Sequence, residues 1–451
     1  MRPVIQVDVI ETSELGDRSY IAHDGTSAVV VDPQRDIDRV LDLLASRNLT
    51  CVLVLETHIH NDYVTGGHEL ARRTGAVYGV NAADDVSFER RPLRDGDLLD
   101  AGSLRVRVIS TPGHTDTHLA YVVEAGPSAP VVFTGGSLLF GSVGRTDLVD
   151  PARTHELTHA QYRSAHRLAH ELTDETQVMP THGFGSFCSA SANVGGVSST
   201  IGDQKQQNDA LLETDENAFV ERLVAGLTVY PSYYAQMGVR NRQGPGPVDL
   251  STPELTEPDE LHRRLLNGEW VVDLRDRTAY AAGHVPGTVS IDLGGQFSTY
   301  LGWLMPWGAE LTLIGESAGQ IEEARRQLVR IGIDELDAAL VGTPAELMAE
   351  RGLPATYRKA SFADLAEVLG QPGVVVLDVR RDDERAASHL PGSAHAPLHR
   401  LLDSLDTLPE GRLWVHCVSG YRSAIAASLL QRAGREVVWI ADDYTNAAAL
   451  L

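Results

Sequence analysis

The chain has 451 residues, more than one compact core usually holds, and with 43% hydrophobic and 22% charged residues it is globular rather than disordered or fibrous. Its 62 acidic residues against 38 Lys and Arg give a net charge of −24, which opposes binding to nucleic acid or an anionic membrane. No apolar run spans a bilayer, the opening MRPVIQVDVIETSELG has acidic residues where a signal peptide needs an apolar core, and Cys51, Cys188 and Cys417 are too few and too scattered for a disulfide framework. The expectation is a cytoplasmic multidomain protein with reduced thiols and no nucleic-acid or membrane partner; a homo-oligomer stays open.

Residues 1–245 alternate short apolar runs (Ala28 to Val31, Cys51 to Leu55, Leu104 to Ile109, Val131 to Thr134) with loops rich in His, Asp and Gly, which predicts an α/β domain with chemistry in its loops. After the second run comes Thr57-His58-Ile59-His60-Asn61-Asp62-Tyr63, with a helix expected to begin near Gly66. Two imidazoles and a carboxylate on a strand-end loop can turn toward one point, a donor set that suits zinc or iron. Ser110-Thr111-Pro112-Gly113-His114-Thr115 and Pro180-Thr181-His182-Gly183 also follow apolar runs, so three strand ends each deliver a histidine. His23, His68, His118, His155, His159 and His166 lack such a setting and read as ordinary hydrogen-bonded residues. Cys188, six residues after His182, reads as a small buried hydrophobe, with a role in holding substrate sulfur left open.

Two linkers are expected, Asn241 to Pro253 with its GPGP and Gly352 to Lys359. Between and beyond them lies an internal repeat. WVVDLRDRTAYAAGHVPGTVSIDL and VVVLDVRRDDERAASHLPGSAHAPL pair Asp273 with Asp378, His284 with His389 and Pro286 with Pro391 at a constant spacing. Two α/β domains, 252–345 and 358–451, are predicted. In the second, the strand Leu413 to His416 leads into Cys417-Val418-Ser419-Gly420-Tyr421-Arg422-Ser423 and a helical pattern, Ala424 to Gln431. A cysteine between a strand end and a helix start faces backbone N–H groups that stabilise a thiolate, and Arg422 is expected to bind an oxyanion. The first copy has Gly315 opposite Cys417 and Gln320 opposite Arg422, and no cysteine from Ser251 to Arg351, so it cannot carry sulfur.

The histidine motifs, together with Phe133-Thr134-Gly135, GSVGRTD from Gly141 to Asp147 and PTHGFGS, resemble the metallo-β-lactamase superfamily, most closely its persulfide dioxygenase and glyoxalase II branch. Asp378-Val379-Arg380, His389-Leu390-Pro391-Gly392 and the Cys417 loop resemble a rhodanese domain. The resemblances imply an α/β multidomain chain: an αββα metallo-β-lactamase sandwich followed by an inactive and an active α/β rhodanese domain. They imply a mononuclear metal, iron before zinc, on His58, His60, Asp62, His114 and His182, and catalysis by Cys417 and Arg422. They also imply small thiol persulfides or thiosulfate as substrates, oxidised to sulfite by the first domain and passed as sulfane sulfur by the last. Two alternatives remain: a sulfurtransferase with a non-catalytic thiol-binding domain, and a zinc thioester hydrolase of glyoxalase II type. The chain departs from the family at Tyr63, where a histidine is usual, and at Gly136, where the metal-binding aspartate is usual. A carboxylate at 136 would supply the missing anionic ligand.

Overall fold

Alternate residues of the early strands serve two different packing layers, which is what builds the N-terminal unit. In the computed structural model, which describes residues 4–190, 198–251, 253–348 and 351–450, this unit carries two six-stranded sheets. The expected domain ends at 1, 252 and 451 lie outside the described residues. The first sheet runs β1 (Gln6–Thr12), β2 (Asp17–His23), β3 (Ser27–Val31), β4 (Thr50–Leu55), β5 (Val77–Asn81) and β6 (Arg91–Leu93) in sequence order. The second places β12 (Ser199–Thr200), β11 (Gln177–Pro180), β10 (Val131–Gly135), β9 (Leu119–Glu124), β8 (Leu104–Ser110) and β7 (Leu98–Ala101) side by side.

Tyr20, Val29, Val31, Leu53 and Leu55 from the first sheet and Val106, Val108, Tyr121 and Phe133 from the second form one buried cluster between the sheets. Their neighbours face outward. Ala28, Val30 and Val54 pack with Val40, Leu44 and Leu70 of the helices Asp38–Ser46 and Gly67–Thr74, and Ile109, Ala120, Val122 and Val132 with Ala165 and Leu168 of the helix Thr154–Glu171. The period of two therefore yields helix, sheet, sheet and helix layers, with both strand faces buried. Cys51 belongs to the outer layer, where burial pushes its thiol up to about 11. β3, β4 and β5 pair in parallel, as do β10 and β11, so the loops after β3, β4, β8, β10 and β11 gather at one sheet edge. The β10–β11 register shifts between Phe133 and Gly135, next to that edge.

The other unit holds two parallel sheets. β13 (Trp270–Asp273), β14 (Val289–Ser290), β15 (Leu311–Gly315) and β16 (Ala338–Val341) are ordered β14-β13-β15-β16. β17 (Arg358–Ala360), β18 (Val374–Asp378), β19 (Ala394–His395), β20 (Arg412–His416) and β21 (Val437–Ile440) are ordered β17-β21-β20-β18-β19. The repeat is thus one topology used twice, with β17 added to the second edge. Asp273 lies opposite Ile314 and Asp378 opposite His416, so the register puts Gly315 in the place of Cys417.

The first expected linker contains the division between the two units, after Asp249, and is corrected only at its start, whereas the second is no linker. Asn241 lies inside the helix Tyr234–Gln243 and is buried, because its amide serves the histidine loop. The segment from Gly352 is pinned where Ala355 and His284 exchange two backbone hydrogen bonds, and it enters a sheet as β17. Among the described residues no helix is long and apolar enough to cross a membrane.

Candidate metal centre and cysteine loop

Three strand ends bring His58, His114 and His182 together, with one ligand atom from each lying within 4.8 Å of the others. The partners behind each ring fix which nitrogen points inward. Thr57 Oγ1 donates to Asp32 Oδ2 at 2.7 Å and so accepts from His58 Nδ1 at 2.9 Å. The Arg145 carbonyl accepts from His114 Nδ1 at 2.7 Å, and Asp17 Oδ1 lies 2.8 Å from His182 Nδ1. Each Nε2 is left facing its fellows, and those of His58 and His182 are 3.3 Å apart. A proton on His182 or a metal cation can sit between these nitrogens, and such outer hydrogen bonds are how proteins orient metal-binding histidines. Asp62 Oδ1, His114 Nε2 and His60 Nδ1 are buried without a hydrogen-bond partner in the protein. These residues fit a metal ion.

The electrostatics agree. Burial, helped by the surrounding imidazoles, pushes His58 well below its ordinary pKa, and burial with His182 takes His114 down to about 3, so both rings are neutral ligands. Against the cost of burial, Asp62 and Asp17 hold a positive charge on His182 well above the ordinary value. A pocket that stabilises that charge also stabilises a metal cation.

Of the five expected ligands, His58, His114 and His182 come together in one group and His60 does not join it. His60 turns Nε2 toward the Tyr63 hydroxyl at 3.0 Å, Asp32 at 3.3 Å and Glu56 at 3.4 Å, and despite burial these carboxylates raise it to about 9. It groups instead with Asp62 and His182, so His182 is shared by two overlapping donor sets. Tyr63, fully buried, stacks on His60 and backs it. His118 stacks 4.8 Å from His58, but its nitrogens are engaged by Thr111 and by the Gly136 N–H.

Gly136 is explained by His114. A Cβ at 136 would stand 2.3 Å from His114 Cδ2 and 2.8 Å from Nε2, so the ring occupies the space a side chain would need. A carboxylate there would displace a ligand rather than add one, contrary to the expectation. Gln161 ties the two loops, accepting from His114 N at 2.8 Å and donating to the Gly136 carbonyl at 3.0 Å. Asn241 donates to the His60 and Tyr63 carbonyls, each at 2.8 Å, and accepts from Thr65 N at 2.9 Å. Asp17, Asp32, Gln161 and Asn241 were all missed in the sequence; only Asp32, following the apolar run Ala28 to Val31, stands where a strand-end residue could have been suspected. Cys188 is buried with Sγ 4.0 Å from the Tyr234 hydroxyl, and burial together with Asp62 and Asp17 pushes its thiol well above the ordinary range. It is a neutral thiol.

Cys417 follows β20, is 1% exposed, and donates to Ser423 Oγ at 3.5 Å. Gly420 begins the helix Tyr421–Arg432 at φ 87°, and a Cβ there would meet Ala441 Cα at 3.2 Å, so the turn needs glycine. Trp439 Nε1 clamps the Gly420 carbonyl at 2.9 Å. Arg422 does not present a free fork to an oxyanion, as expected of it. Both its terminal nitrogens bind Glu384, at 2.6 and 2.7 Å, which ties the loop to the helix Asp382–Ala387. Tyr300 of the first repeat is nearly buried, and its phenol is raised by burial and by Cys417 and Glu384, against Arg422 and Arg381. In the first repeat Gln320, at the place of Arg422, is engaged by its own loop, its Oε1 accepting from Glu316 N at 2.7 Å. Both repeats keep a buried Asp–Arg clamp, Asp273–Arg275 at 2.7 Å and Asp378–Arg380 at 2.8 Å.

Two stacked sheets between helices, with a histidine cluster that could hold a metal at the shared edge, define a protein of the αββα class, here continued by parallel α/β sheets. Residues 16–182 match the metallo-beta-lactamase superfamily and residues 361–449 the rhodanese-like domain. An uncharacterized protein of Mycobacterium leprae is 34% identical over 185 residues, 35% of this chain and 82% of that protein. A hydroxyacylglutathione hydrolase of Hahella chejuensis is 38% identical over 133 residues, 29% of this chain and 51% of that enzyme, so the chain spans about half the length of that relative. The crystal structure of a metallo-beta-lactamase from Staphylococcus aureus subsp. aureus COL superimposes with a TM-score of 0.67 and 25% identity, covering 75% of this chain and all of that one. The chain belongs to the metallo-beta-lactamase superfamily and carries a C-terminal rhodanese-like domain.

Proposed function

We propose that the protein consumes low-molecular-weight persulfides, with the histidine site oxidising their outer sulfur to sulfite and Cys417 transferring sulfane sulfur. The observation that carries the reading is the pairing, in one chain, of an inward-facing three-imidazole pocket with a cysteine on a strand-to-helix loop. Iron bound by His58, His114 and His182, with Asp62 beside it, would supply dioxygen chemistry. The chain's own residues hold the pocket for it: Thr57, Asp17 and the Arg145 carbonyl keep each imidazole oriented, and Asn241 and Gln161 keep the loops in register. The net reaction takes a persulfide, dioxygen and water to a thiol, sulfite and protons.

At the other site the Cys417 thiolate attacks the sulfane sulfur of thiosulfate or a persulfide; the donor S–S bond breaks, sulfite or thiolate leaves, and a cysteine persulfide remains. A thiophile such as sulfite or cyanide takes that sulfur and regenerates the thiolate. The first repeat, without a sulfur nucleophile, serves as a scaffold and lends Tyr300 to the surroundings of Cys417. Cys417→Ser should abolish thiosulfate-to-cyanide transfer, and appreciable transfer in that variant would move the role to Cys188 or Cys51. A second reading, a zinc thioester hydrolase, is favoured by the identity to hydroxyacylglutathione hydrolases. It is opposed by Gly136 and Tyr63, and hydrolysis of a hydroxyacylglutathione thioester by the zinc-loaded protein tests it.

A further inference from the structure

The loops that carry the histidines also line a cavity of about 200 Å³ formed by Ile59, Asn61, Asp84, Asp85, Thr115 and Arg242, among others. Ile59 and Asn61 alternate with His58, His60 and Asp62, and Thr115 follows His114, so two loops serve both places. Asp84 and Thr115 are 7% and 4% exposed, and Asp84 Oδ2 and Thr115 Oγ1 have no hydrogen-bond partner in the protein. The other Asp84 oxygen accepts from Thr117 Oγ1 at 2.5 Å, and burial lifts the carboxyl above its usual range, a cost that a bound cation would offset. Asp116 is spent on Arg153 at 2.8 Å. Asp85 and the Arg242 guanidinium are exposed and make no hydrogen bond or ion pair among the described residues.

Arg242 and Arg90 already offset part of the Asp84 charge, and the cavity still offers a carboxylate oxygen and a hydroxyl without hydrogen-bond partners beside a guanidinium without an ion pair. Its carboxylates do not converge on a single ion position, since they form none of the metal-suited groups among the described residues. An organic ammonium, whose three donors spread over several acceptors, suits them better than a metal. The volume lies below the range of about 300–1,000 Å³ of pockets that swallow a whole drug-sized ligand, and fits a head group.

We propose that this cavity receives the zwitterionic α-amino-acid end of the thiol carrier, its ammonium on Asp84 and Asp85 and its carboxylate on Arg242. The inference rests on the reading that a small-thiol persulfide is the substrate, and it deepens that reading by selecting carriers with a free amino-acid group, such as glutathione or cysteine, over carriers without one. Calorimetric titration of the full metal-loaded chain with unreactive thioethers tests it. S-methylglutathione or S-methylcysteine should bind about tenfold or more tighter than 3-(methylthio)propanoate, which lacks the ammonium. The stronger of the two zwitterions identifies the length of the carrier. Asp84→Asn should reduce the preference about tenfold, and Arg242→Gln, at an exposed helix position where folding is not at stake, should weaken both zwitterions by a similar factor. Equal binding of all three probes, or unchanged affinity in both variants, overturns the proposal. If the affinities behave as described but glutathione persulfide elicits no oxygen uptake, the cavity stands and the oxidation reading falls. Oxygen uptake at low persulfide concentration that neither variant alters leaves the oxidation and removes the cavity from it.

Discussion

Replacing Gly136 by alanine isolates the fit between this residue and His114. Backbone strain plays no part, since Gly136 is not among the positive-φ glycines. The added Cβ would lie 2.3 Å from His114 Cδ2, and reaching ordinary contact at 3.4 Å means moving the ring by about 1 Å. That ring is held by the Arg145 carbonyl at 2.7 Å and, through its backbone, by Gln161 at 2.8 Å. Overpacking of this kind costs about 1–3 kcal/mol. Metal–ligand distances tolerate only about 0.2 Å, so the displaced imidazole no longer ligates well, and affinity should fall about 10–100-fold, the scale of losing an outer-shell partner. Competition against a fluorescent chelator measures this on the full chain. Gly136→Asp should also lose affinity, because it trades His114 for a carboxylate. An alanine variant that binds metal within twofold of the native protein would refute the packing argument.

Asn241→Ala removes three hydrogen bonds to the histidine loop and should lower metal affinity about tenfold and stability by about 2–4 kcal/mol, read by chelator competition and thermal unfolding. Glu384→Gln should cost the Cys417 loop about 1–3 kcal/mol and reduce sulfur transfer, because Arg422 loses a charged bidentate partner. All five tryptophans, Trp270, Trp303, Trp307, Trp414 and Trp439, lie beyond residue 250, so intrinsic fluorescence reports this unfolding without the N-terminal unit. Although burial opposes it, Arg422 holds Glu384 below the usual carboxylate range; the pair's contribution is complete above the unfolded value of about 4.3 and is lost as pH falls through the lower folded value. The gap between native and Glu384→Gln unfolding midpoints should therefore be full at pH 7 and close below about pH 4; a gap that persists there would contradict the ion pair. His58→Ala and His182→Ala should each empty the metal site, whereas His118→Ala should leave most metal bound, as elemental analysis would show.

Much of this was legible because it is local. Val29 and Val31 alternate with Ala28 and Val30, and that period alone sorts them into the two layers they occupy. His58, His114 and His182 each follow an apolar run, which is why a strand end delivers each of them. The membership of the trio was not legible, because His60 and His58 sit on the same loop and only the folded positions of Asp32, Glu56 and Tyr63 decide that His60 turns away. Asn241 read as linker because GPGP follows it, while its amide acts on His60, 181 residues away. Arg422 read as free for an oxyanion because Glu384 is 38 residues distant and belongs to another helix. In the repeat, by contrast, the loss of sulfur at Gly315 was visible in the sequence, and the sheet register shows the two positions to be equivalent.

The central claim, that the histidine pocket oxidises persulfide sulfur while Cys417 transfers it, is tested most directly by one comparison. Iron-loaded native protein, Cys417→Ser and His58→Ala are given glutathione persulfide in an oxygen electrode, and sulfite and thiosulfate are quantified. The account predicts oxygen uptake with thiosulfate among the products in the native protein, uptake with sulfite and no thiosulfate in Cys417→Ser, and no uptake in His58→Ala. Full oxygen uptake in His58→Ala, or none in the iron-loaded native protein, would contradict it.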